Sequence, residues 1–285
     1  MFALAMLPRV LAQQGSRESN VRRSYLEQYR GAARFGDLVW SAVYSEGTLA
    51  EGTPLWNDAY AVAREAMVRV RQNVEVIVDF LRQQRYMFFG MLPNQDVSSA
   101  EPWLPPGPET SEQLQRLSTL AGALPLSLRA WWEIVGTVSL QGVFEDMCGK
   151  SSDPTGRRVP MADPLIVDPL DYVLEQVAEG ADPSGKDGFL VDIAPDLYHK
   201  ANQSGGAPYA VHLPDQRFDT PLLNVCILLP VPPEAGRPYV EVETNETFGH
   251  YLRRSFQWAG FPGFAFLPDP QVERIRPLFE KMLPI

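Results

Sequence analysis

The chain has 285 residues, 45% of them hydrophobic and 21% charged, a composition that excludes a disordered protein and can build a core without disulfides or a structural metal. The formal charge of −10 is unevenly spread: residues 1–90 carry 9 acidic and 11 basic groups, whereas residues 141–220 carry 14 acidic and 6 basic. That balance disfavours nucleic acid, whose phosphates need a basic face, and leaves either a basic protein partner or a solvated acidic face.

The chain opens on "MFALAMLPRVLAQQG". Its apolar run has no basic residue before it, and Pro8 and Arg9 interrupt it, so an amphipathic segment packed on the body is expected rather than an export signal. No apolar run approaches the ~20 residues that span a bilayer, and no membrane association is expected. Cys148 and Cys226 have no neighbours at metal-ligand spacing, which points to a reducing, cytoplasmic setting and to no metal.

The first third reads as helical. Thr53 is a good N-cap and Pro54 suits the first helical position. From there the chain runs to Tyr86 without Gly or Pro. Ala59, Val62, Ala63, Ala66, Val70, Val74, Ile77, Val78 and Leu81 recur at three- and four-residue steps and predict one buried stripe. Residues 93–108, "PNQDVSSAEPWLPPGP", are a Pro-rich loop or linker that Trp103 anchors to the body.

After a further helix, "LPLSLRAWWEIVG" places Trp131 and Trp132 side by side. About 100° separates them around a helix axis, so the two meet different neighbours. Trp131 is expected in the core. Trp132 is the candidate for a partly exposed anchor, since Trp is favoured in interface hot spots. Gly136 supplies a positive-φ stop before a strand.

Beyond Gly136 the texture changes to short apolar or alternating runs, "TVSLQG", "PLIV", "GFLVDIA", "PYAVHLP" and "LLNVCILLPV". Gly, Pro and Asp separate them, which is the pattern of strands and turns. One helix, "DPLDYVLEQVAEG" with Asp168 as its cap, interrupts them, and two more helices close the chain. Helices, then strands, then helices predict an α+β fold. The expected form is a twisted, mainly antiparallel sheet with helices packed on one side, plus an N-terminal helical layer. The expected divisions are 1–92, 93–108 and 109–285.

Read in order, these pieces carry a resemblance. "LPLSLRAWWEIVG", the strand after Gly136, "DPLIVDPL", and "FLVDIAPDLYHKANQSGGAPYAVHLPDQRFDTPLLNV" together resemble the SUKH superfamily of small α+β domains, over residues 108–229. The second tryptophan and a long loop at 148–162 depart from the usual pattern. The superfamily includes bacterial immunity proteins that neutralise polymorphic toxins, and a fungal cell-wall regulatory protein. The resemblance implies a fold and a protein partner rather than an active site. It assigns structural roles to Leu124, Pro125, Trp131, Gly136, Asp192 and Tyr209.

No motif carries a reaction. His199, His212 and His250 are not grouped as metal ligands. His212, in a strand, and His250, in a helix, read as structural. His199, beside Tyr198 and Ser204, is the best catalytic candidate, but no Gly-x-Ser-x-Gly elbow accompanies it. Glu241 and Glu243 alternate with valines and read as the wet side of a strand. The expected function is therefore a non-catalytic protein-binding module without cofactors, an immunity protein taking a basic, nuclease-type toxin. Its candidate contacts are Glu145, Asp146, Glu179, Asp182, Asp187, Asp196, Asp215 and Trp132. The alternatives are a hydrolase-like enzyme with a dispersed site around Tyr198 and His199, and a structural subunit of a larger assembly.

Overall fold

The computed structural model describes residues 23–32, 36–89, 101–147, 163–180, 188–195, 208–230, 239–243, 246–265 and 271–285. The N-terminal stretch, the 148–162 loop, Tyr198 and His199 lie outside them. Helix α1 (Tyr25–Gly31) opens with a capping box between Ser24 and Glu27, and α2 (Gly36–Tyr44) follows. Helix α3 (Pro54–Gln83) begins as its sequence requires, with the Trp56 N–H donating to Thr53 Oγ1 at 3.2 Å. Its predicted stripe is buried throughout, and Met67 and Asn73 join it. Asn73 is the polar exception. Its side chain donates to the Leu283 carbonyl at 3.0 Å and accepts from the Leu283 N–H at 2.7 Å, so it holds the C-terminal segment as a strand would.

Helices α4 (Thr110–Ala121) and α5 (Leu126–Ile134) follow the Pro-rich stretch. Trp103, on β2 (Trp103–Leu104), donates from Nε1 to the Val135 carbonyl at 2.7 Å, which anchors this loop to the end of α5. Pro125 is the N-cap residue of α5, and Leu124 before it is buried. Gly136 has φ +87°, and a Cβ there would lie 2.2 Å from the Leu104 carbonyl oxygen. Only glycine fits that turn.

All described strand pairs are antiparallel. β1 (Tyr86–Phe88) pairs with β4 (Gly142–Phe144). β2 pairs with β3 (Thr137–Ser139), and β3 with β5 (Ile166–Val167). β6 (Phe189–Ala194) pairs with β7 (Tyr209–Leu213). β8 (Pro221–Leu222) pairs with β11 (Glu246–Thr247), and β9 (Cys226–Pro230) with β10 (Tyr239–Glu243). Where one sheet was expected, the strands among the described residues form five small ones. Backbone bonds join three of them in series. The Asp168 N–H donates to the Ile193 carbonyl at 2.8 Å, linking β5 to β6, and Ala210 and Leu223 exchange bonds of 3.3 and 2.9 Å, linking β7 to β8. The β6–β7 pair itself carries a bulge between Asp192 and Ala194.

Helices α6 (Leu170–Glu179), α7 (Phe248–Gln257) and α8 (Val272–Phe279) complete an α+β fold. One hydrophobic cluster runs from Tyr25 to Ile285, so the N-terminal helices share the core of the rest. Both tryptophans lie in it. Trp131 meets Phe248 of α7 edge-to-face at 5.6 Å. Trp132 turns the other way and donates from Nε1 to the Asp168 carbonyl at 3.3 Å. The expectation of different neighbours holds, but Trp132 is 1% exposed and is no surface anchor. Asp168 is not the cap of α6 either: that position falls to Pro169, without a side-chain bond.

With both indoles buried, Trp131→Ala and Trp132→Ala should each cost about 3–5 kcal/mol, the usual penalty for emptying a large core site. Urea denaturation measures it. An unchanged midpoint for either variant would contradict this packing.

Candidate functional site

Helix α6 is the element with two unlike faces. Leu170, Val173, Leu174 and Val177 are buried. Asp171, Tyr172, Glu175, Ala178 and Glu179 are exposed. The three acids stand four residues apart and so share one side. Gln176 docks the helix on β6: its amide donates to the Asp192 carbonyl at 2.9 Å, and its oxygen accepts from the Asp192 N–H at 2.8 Å.

The described segments that form α6 and β6 carry one sign of charge. Residues 163–180 and 188–195 contain no lysine or arginine. Tyr172 registers the field. Its phenol is pushed up, first by partial burial and then by Asp168, Asp192, Glu175 and Glu179. Four carboxylates thus act on the phenol of one tyrosine, a residue that is 44% exposed. The Asp192 carboxyl is also raised, by burial. Asp171 suits the first turn, but the other two acids work against the helix. Glu175 and Glu179 repel at four-residue spacing, and Glu179 puts negative charge at a C-terminus whose last turn has no base.

The other acids selected from the sequence behave differently. Glu145 and Asp146 sit on the 3₁₀ turn Glu145–Met147 and remain exposed, but both meet arginines. Arg85 lies 3.7 Å from Glu145. Arg274 grips Asp146 with both terminal nitrogens while its guanidinium rests 4.6 Å from the Phe144 ring. Asp215 was expected at a strand end within reach of a partner. It is 6% exposed and bound by Arg217, through Nε at 2.8 Å and Nη2 at 2.7 Å. Its carboxylate is spent inside the fold. Of the predicted contacts only Glu179 lies on the α6 face. Asp182, Asp187 and Asp196 lie outside the described residues, as does the alternative site at Tyr198 and His199.

Among the structural assignments, Tyr209 is buried against Tyr251 at 5.7 Å, and Asp192 serves through its backbone. His212 and His250 are exposed rather than structural. Among the described residues no three His, Cys, Asp or Glu side chains gather as metal ligands, and no helix is long and apolar enough to cross a membrane. Sequence reasoning missed Asp171, Tyr172 and Glu175. Their signal was present in "DPLDYVLEQVAEG", where acids recur at helical spacing without one base. Comparison with protein families, curated proteins and solved structures gave no match.

If the acids on α6 are kept at the helix's expense, Glu179→Lys should raise stability by about 0.5 kcal/mol, by relieving the C-terminus and pairing with Glu175. Urea melts of the full chain give the number. A loss of stability would mean that Glu179 serves the fold.

Proposed function

We propose that the chain is a non-catalytic protein-binding module that takes a basic protein on the exposed face of α6, in the manner of an immunity protein neutralising a toxin. The observation that carries this reading is the exposed row of Asp171, Glu175 and Glu179 on α6 beside the exposed Tyr172, with no base in the flanking described segments. A face that only kept the chain soluble would mix its charges, as the Arg85–Glu145 and Arg274–Asp146 pairs do elsewhere. Tyrosine suits the centre of such a face, because tyrosines are enriched in interface hot spots. The SUKH resemblance supports a protein as the partner, and the charge of the face supports a basic one.

Surface-based kinetics against the product of the adjacent gene test the proposal. Raising salt from about 0.05 to 0.5 M should slow association severalfold, because the screening length contracts. Combined Glu175→Lys and Glu179→Lys should slow it about tenfold, and Tyr172→Ala should speed dissociation. Combined Glu145→Lys and Asp146→Lys should do less, since arginines already occupy those carboxylates. Salt-independent association that ignores the α6 reversal would sink the proposal.

A further inference from the structure

A second polar cluster uses none of the residues of α6. On α3, Trp56, Tyr60 and Arg64 stand at four-residue steps and share one side. Beside them α5 presents Arg129 and Glu133, one turn apart. Glu133 is the fixed point. It accepts from the Tyr60 hydroxyl and from Arg64, and from Arg129 Nε at 3.3 Å. The Arg129 guanidinium also lies 5.3 Å from the Tyr60 ring and 5.8 Å from the Trp56 ring. Glu133 and two aromatic rings thus orient this arginine.

The other end of Arg129 lines a cleft of about 180 Å³, with Leu49, Glu51, Trp56, Ser118, Leu124 and Gln216 among its walls. There NH1 donates to Glu51 at 3.3 Å. The two carboxylates on Arg129 are unlike. The Glu133 side chain is 20% exposed and shared by three donors, whereas the Glu51 side chain is 72% exposed. An ion pair as open as Arg129–Glu51 contributes little to stability and exchanges readily. Glu51 occupies the position that an external carboxylate would take on a planar, preoriented guanidinium.

We propose that this cleft binds a zwitterion the size of a free amino acid: its carboxylate replaces Glu51 on Arg129, and the released Glu51 takes its ammonium group. Charge supports a zwitterion over a simple anion. Arg64 and Arg129 balance Glu51 and Glu133, so the cluster has no net positive charge to hold a phosphate. Size agrees, since a cavity of about 150 Å³ holds a benzene ring. Leu49, Trp56 and Leu124 offer a wall for a small side chain, and Ser118 and Gln216 offer hydrogen bonds at the rim.

The test is an NMR titration of the full chain, following the Trp56 indole N–H. The probes are glycine, serine and leucine, with 4-methylpentanoate as leucine without its amine, isopentylamine as leucine without its carboxylate, and inorganic phosphate. At least one amino acid should bind. Either truncated form should bind about tenfold more weakly than leucine, the loss expected for one charge-assisted contact. Glu51→Gln removes the internal competitor and the ammonium acceptor together. It should tighten 4-methylpentanoate and abolish the preference for leucine over it, which a merely structural Glu51 would not do. Arg129→Gln should abolish binding, with a thermal melt to confirm folding. No shift with any amino acid at tens of millimolar, phosphate binding more tightly than all three, or an unchanged preference in Glu51→Gln would each overturn the proposal.

Discussion

Asp219 is fully buried, and its carboxylate accepts from four donors on four parts of the chain. The Trp40 indole of α2 reaches it at 2.9 Å and the Ser127 hydroxyl of α5 at 2.8 Å. The N–H of Thr220, next to β8, donates at 3.0 Å, and the N–H of Gly249, in the first turn of α7, at 3.1 Å. A buried carboxylate is tolerable only when its oxygens are so occupied, and the N-terminus of α7 adds a favourable dipole. The approach is tight: a Cβ on Gly249 would stand 2.7 Å from both the carboxylate and the Trp40 ring. Trp40 packs edge-on against Phe218 at 4.4 Å, and Arg253 of α7 lies 4.7 Å from its ring. The backbone of α5 follows the same track, with the Ser127 N–H donating to the Phe218 carbonyl at 2.9 Å. This junction makes the N-terminal helices and the strand region one body.

From that junction the paired tryptophans carry position outward. Ser127 sets the start of α5, and α5 then carries both indoles. Trp131 meets α7 through Phe248, beside the glycine that Asp219 holds. Trp132 bonds the Asp168 carbonyl, just before α6 begins. Gln176 completes the docking of α6 on β6. The proposed interface is therefore an exposed acidic face on a helix whose position is set by part-buried bonds. Such a support suits electrostatic recognition, because charges on a fixed element need no ordering when a partner arrives. The proposed cleft shares the support, since Arg129 and Glu133 are on α5 as well.

What was legible in the sequence was mostly local. Thr53 and Pro54 mark the start of α3, the apolar spacing marks its buried side, and Gly136 marks its turn, because each signal lies within a few residues of its effect. The α+β class followed from the change of texture after Gly136. Features set by distant neighbours were not legible. Trp132 looked like an anchor because nothing in its own helix shows that the chain before α6 will cover it. Asp215 looked like a strand-end acid open to a partner, although Arg217 stood two residues away. Asn73 carried no sign of its partner, because the Leu283 backbone it bonds lies 210 residues further along the chain. The cleft joins residues from three separate stretches, so no spacing could announce it. The acidic side of α6 was the reverse case: the helical spacing of Asp171, Glu175 and Glu179 is present in the sequence itself.

The most direct measurement is hydrogen exchange of Asp219→Asn, followed residue by residue. The substitution preserves size and one carbonyl oxygen but turns an amide donor toward donors. If Asp219 joins the elements as described, the Trp40 indole, the Gly249 amide, and the backbone of α2 and the first turn of α7 should lose protection by about tenfold or more, while α4 keeps its own. Wild-type protection at Trp40 and Gly249 in the variant would contradict the account. It would show that packing alone holds these elements together.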